Sequence, residues 1–125
     1  MGRIINYIEI KDKKYLTLFD TGAKNTYVLK EIADTFPILE IEKPEPVSLG
    51  GKVHQVTKKC LIAGFLEGLP ISFEARVLEN IGKDDKGNNI AILIGALTMQ
   101  EWGIVPVPEK ETIDLTHYPK EFVEY

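Results

Sequence analysis

Apolar and polar positions alternate with a period of two along much of this chain. The clearest case is Ile71, Phe73, Ala75 and Val77, interleaved with Ser72, Glu74 and Arg76. Successive side chains of a strand point to opposite faces, so this run predicts a strand with one buried face, entered from a turn at Gly68-Leu69-Pro70. Residues 3–10 are rich in Ile and Tyr, Lys11-Asp12-Lys13-Lys14 is polar, and 15–19 are apolar again. That sequence predicts a hairpin whose second strand ends at Asp20. A short strand is expected at 27–29 and one helical turn at 30–36, stopped by Pro37. Residues 38–49 read as an extended stretch broken by Pro44 and Pro46, and Leu49-Gly50-Gly51-Lys52 as a tight turn into a strand at 53–63. A charged loop at 83–89 precedes Ala91-Ile92-Leu93-Ile94-Gly95, an apolar strand running into a glycine, and a short helix ending at 98–102. Closing strands are expected at 103–107 and 112–115, and the polar segment 116–125 predicts no element.

Length and composition narrow the classes. A chain of 125 residues, 44% hydrophobic and 27% charged, predicts one domain spanning 1–125 around one core. No apolar run approaches the ~20 residues that cross a bilayer, so no membrane partner is expected. The opening Met1-Gly2-Arg3-Ile4-Ile5-Asn6 lacks the apolar stretch of a secretory signal, and Asn6 stands where a myristoylation site needs Ser or Thr. The expected location is the cytoplasm. Cys60 is the only cysteine, which permits no internal disulfide, and it reads as a small core hydrophobe. With His54 and His117 the only histidines, no cluster has metal-ligand spacing, and neither a phosphate loop nor a calcium loop is present, so no metal or cofactor is expected. The net charge of −4 argues against nucleic acid as a partner, and Lys52, His54, Lys58 and Lys59 read as a solvated strand face.

The chemistry concentrates at Asp20-Thr21-Gly22-Ala23. An apolar strand delivers a carboxylate into a turn that Gly22 makes sharp, and a partly desolvated carboxylate is costly unless it is hydrogen-bonded or used. No Ser-His-Asp or Cys-His arrangement competes with it. Followed by Thr26 and, further on, by the Ile92-Leu93-Ile94-Gly95-Ala96 element, the motif resembles the retropepsin-like aspartic proteases over residues 3–115. The Gly-Ala-Leu-Thr-Met run from Gly95 to Met99 is most similar to cellular members from prokaryotes.

That resemblance implies an all-β fold, a closed barrel of the acid protease type with one short helix. It implies an aspartic endopeptidase that activates water between two carboxylates. Two are needed because like charges ~3 Å apart share a proton, giving one acid and one base. Because the chain carries one Asp-Thr-Gly, the second carboxylate implies a homodimer acting on a peptide or protein substrate. Asp20, Thr21 and Gly22 take the catalytic positions, Thr21 cross-bracing the two turns. Ala23, Leu49, Gly50, Gly51 and Ile94 take substrate-binding ones, Gly50 and Gly51 at the tip of a mobile flap. Ala23 replaces a Ser or Thr of other members, whose hydroxyl favours the charged carboxylate, which implies a mildly acid optimum of roughly pH 5 to 6. Lys24 and Ala96 stand where retroviral enzymes pair an Asp with an Arg, so a dimer here is held another way. The alternatives are a catalytically silent dimerisation or peptide-binding module of the same fold, and an unrelated small β-barrel.

Overall fold

The computed structural model describes residues 3–124. The readings made at Met1, Gly2 and Tyr125 lie outside them. Strands β1 (Arg3–Ile10) and β2 (Lys13–Asp20) form the expected hairpin, with only Lys11 and Asp12 in its turn. Both have left-handed backbone, φ 51° and 67°, the conformation that suits the twist of a two-residue hairpin. Lys13 and Lys14 therefore belong to the strand, and the register sets Arg3 directly opposite Asp20. Strand β3 (Tyr27–Leu29) leads into a single-turn helix α1 (Lys30–Ala33).

Strands β4 (Ile38–Leu49) and β5 (Lys52–Leu66) form a long hairpin with Gly50 and Gly51 at its tip, and β6 (Leu69–Leu78) returns along β5. Pro44 and Pro46 do not break β4. That strand lies at the sheet edge, where the missing N–H groups go unmissed, and its pairing skips between Glu40 and Glu45. Leu69 and Pro70 likewise belong to β6, the turn being Glu67 and Gly68.

Strand β7 (Ile92–Ile94) enters the middle of the sheet, parallel to β2 and antiparallel to β3. The resulting order is β1-β2-β7-β3-β6-β5-β4. One further pair, Glu9 with Phe65, joins β1 to β5, so the sheet curls until these strands touch; of the expected barrel closure, this single pair is what is seen. Helix α2 (Ala96–Trp102) is the short helix expected to end at 98–102, and with α1 it makes two helices where the resemblance implied one. Strands β8 (Val105–Val107) and β9 (Thr112–Asp114) pair with each other in a separate ribbon and do not join the main sheet.

The sheet has apolar side chains on both faces. Ile4, Ile8, Phe19, Val28, Ile62, Phe73, Ile92 and Ile94 form the larger core, while Leu18, Tyr27, Val56, Leu78, Ile90 and Leu93 form a second one. Fully burying an aliphatic side chain of this size contributes about 1.5–3 kcal/mol. Cys60 is buried in the first core, and its burial pushes the thiol up to about 11, which makes it an inert hydrophobe. The C-terminal segment is tied to the body through Trp102, which donates from Nε1 to the Ser72 carbonyl at 2.8 Å and stacks on Tyr118 at 5.8 Å.

Lys59 is not part of a solvated face. It is mostly buried and reaches Glu45 at 3.4 Å, and Arg76 Nε donates to the same carboxylate at 3.0 Å. This group fixes the base of the β4–β5 hairpin to β6. The Arg76 hydrogen bond holds the Glu45 carboxyl below its ordinary value of 4.5. A carboxyl depressed in the fold contributes stability above its unfolded value, lost as pH falls through the folded one. Amide protection in 40–48, measured against the intrinsic exchange rate at each pH, should therefore fall below about pH 4.5 in the wild type. Glu45→Gln should be weakly protected throughout, with no such acid step; an identical acid step in the variant contradicts the assignment.

Candidate active site

The site begins where β2 runs out. The Ala23 N–H donates to the Asp20 carbonyl at 3.1 Å, closing a turn, and the Gly22 N–H donates to Asp20 Oδ1 at 2.8 Å. The carboxylate is thus aimed by its own turn, with 23% of the side chain exposed. Its other oxygen, Oδ2, lies 3.7 Å from Nε of Arg3, the residue opposite it on β1. Thr21 is exposed beside it.

The turn is held from beneath by the segment after β7. Ala96 N–H donates to the Ala23 carbonyl at 2.7 Å and Leu97 N–H to that of Lys24 at 3.1 Å. Gly95 N–H donates to Thr26 Oγ1 at 3.1 Å, and that hydroxyl is 2.7 Å from the hydroxyl of Thr98. Both threonines are buried, so their polar groups are satisfied by one another and by the glycine amide. A side chain at position 95 would put its Cβ 2.1 Å from the Asn25 carbonyl oxygen, so the approach admits only glycine.

Asp20, Thr21, Gly22, Leu49 and Gly50 line one cavity of about 620 Å³. The tip of the β4–β5 hairpin thus faces the carboxylate, Gly50 and Gly51 turning it with φ 59° and 80°. The remaining expected residues lie elsewhere. Gly51 does not line the cavity, and Ala23 packs against the second core beneath it. Ile94 is a correction: it is fully buried in the first core, because alternation along β7 points Ile92 and Ile94 away and turns Leu93 to the cavity.

The cavity also takes Leu18, Ile81 and Ile90 as an apolar floor, and Arg3 and Lys83 as cations. None of these was identified from sequence. Arg3 was within reach, since a two-residue turn at Lys11 and Asp12 sets it against Asp20. Among the described residues, no group of three or more His, Cys, Asp or Glu side chains stands together as a metal site.

No protein-family model matches the chain, and a search of curated proteins finds no match. Among solved structures it is similar to the retroviral protease-like domain of Ddi1 from Leishmania major, with a TM-score of 0.63 over 93% of this chain and 90% of that one. The chain has a retropepsin-like fold. At 14% identity the likeness speaks for the fold alone.

Within that fold, Lys24 and Ala96 carry no side-chain bridge between turn and helix. Their backbones take part in the contact: the Lys24 carbonyl accepts from Leu97, and the Ala96 amide donates to Ala23. The polar support of the turn is therefore the Thr26 hydroxyl and these amides. Thr26→Val keeps the shape but leaves the Gly95 amide and the Thr98 hydroxyl without their partner. It should cost about 1–3 kcal/mol in denaturant unfolding, with Thr26→Ser close to wild type. A loss under ~0.5 kcal/mol for the valine variant contradicts this role.

Proposed function

We propose that the chain is one subunit of a homodimeric aspartic endopeptidase of the cellular, prokaryotic type, in which Asp20 of each copy contributes one carboxylate of a shared dyad. The observation that carries this reading is a partly exposed Asp-Thr-Gly carboxylate, held by a buried brace and opening on a cavity whose other wall is a glycine-tipped hairpin. A single carboxylate cannot act as both base and acid on one peptide bond, whereas two at ~3 Å hold one proton between them and divide the roles. The ionised one takes a proton from water as it attacks the carbonyl carbon, and the protonated one donates to the carbonyl oxygen. Thr21, Gly22 and the flap residues Leu49 and Gly50 would bound the peptide.

One observation favours a second reading. Arg3 lies 3.7 Å from Asp20 in the same subunit, as a counter-ion that merely stabilises the turn would, and this suits a silent peptide-binding or dimerisation module. Incubation of the wild type and Asp20→Asn with a mixed peptide library across pH 3 to 8 separates the two. The peptidase reading predicts defined cuts that fall by at least about 10³-fold in the variant while its fold and stability persist. Cuts that survive in Asp20→Asn, or none in either protein, contradict it.

A further inference from the structure

The cavity beside Asp20 is charged in the opposite sense to the chain as a whole. The protein carries a net charge of −4, yet this cavity is lined by two cations, Arg3 and Lys83, against one carboxylate, that of Asp20. Arg3 is only partly engaged. Its Nε is 3.7 Å from Asp20, a long contact for one of five N–H donors on a planar group, and more than half of the side chain is exposed. Lys83 has no carboxylate within ion-pair distance among the described residues.

Two further carboxylates stand on the other side of this pair, in an adjoining cavity of about 190 Å³ that Arg3 and Lys83 also line. Asp84 is turned into its own loop, where it accepts from the amides of Lys86 at 2.9 Å and Asn88 at 2.8 Å and from Asn88 Nδ2. Asp85 is exposed, and neither pairs with Lys83. The cavity that the two cations line has Leu18, Ile90 and Leu93 in its apolar floor. A purely aliphatic peptide would fill that floor and leave Lys83 unpaired and Arg3 with only its long contact to Asp20; a carboxylate placed beside it completes both.

We propose that Arg3 and Lys83 make the cavity select an acidic side chain, so that the substrate is a peptide carrying Glu or Asp within a few residues of the scissile bond, next to aliphatic residues. The inference rests on the peptidase reading for the words substrate and scissile. Its physical content is a binding preference.

The test uses uncleavable peptides with a hydroxyethylene group in place of one amide, otherwise aliphatic, with Glu or Gln placed in turn at three positions on each side. Binding is measured to the wild type, Lys83→Gln and Arg3→Gln. At one or more positions the Glu peptide should bind about five-fold more tightly than its Gln twin in low salt, the scale of one exposed ion pair. The ratio should fall towards one in Lys83→Gln, and in the wild type at ~1 M salt, where screening reaches ~3 Å. Equal binding of Glu and Gln peptides at every position, no binding of any, or a ratio unchanged in both variants overturns the proposal. Cleavage of the matching amide peptides is read separately. Glu preference in binding without Asp20-dependent cleavage sinks the peptidase and leaves the selectivity standing, whereas cleavage without preference does the reverse.

Discussion

The Thr26 hydroxyl is the contact on which the rest of the site depends. It accepts from the Gly95 amide and pairs with the hydroxyl of Thr98, both threonines being buried, where an unpaired polar group is costly. Through it the strand leaving the Asp20 turn is bonded to the strand and helix that arrive some seventy positions later in the chain. The backbone bonds from Ala96 and Leu97 to residues 23 and 24 follow from that juxtaposition. Without it the turn would lose its buried support, and the direction of the Asp20 carboxylate would rest on the Gly22 amide and the long contact to Arg3. Because no side chain fits at position 95, the same close approach that aims the carboxylate also fixes which residue can stand there.

The two cores divide the work of the sheet. The larger one holds β1, β2, β6 and β7 together through residues that never meet the cavity, such as Phe19, Ile92 and Ile94. The smaller one lies under the site, and several of its members, Leu18, Ile90 and Leu93, are at once core and cavity floor. The cavity floor is thus backed by packed side chains, and the tip of the β4–β5 hairpin forms its other wall. That hairpin is tied to its neighbours along its length by Glu45, Lys59 and Arg76, and near its two-glycine tip Leu49 packs on the second core.

Much of this was legible in the sequence, and the failures have a common cause. The hairpin at the start, the alternating strand at 71–77 and the glycine turn at 50 and 51 follow from period-two alternation and turn chemistry, which are local. The Asp-Thr-Gly turn was legible because its residues carry chemistry as well as shape. Ile94 was misplaced because Ile92-Leu93-Ile94 is apolar throughout: a strand buried on both faces shows no alternation, and nothing local says which face meets the cavity. Pro44 and Pro46 misled because their cost depends on whether β4 is an edge, which is a property of the whole sheet. Lys83 and Ile81 reach the site from a loop, and only the three-dimensional path of that loop brings them there.

The proposed catalytic site takes one carboxylate from each of two chains, and subunit mixing distinguishes it from a site within one chain. Wild type and Asp20→Asn are combined in equal amounts, exchanged to equilibrium, and assayed at constant total protein. If the dyad is shared, every mixed pair lacks one carboxylate, and activity should fall to about a quarter of the pure wild type, following the square of its fraction. Activity that falls only to about a half, in proportion to the wild-type fraction, would mean that each Asp20 acts within its own chain, and would contradict the shared site.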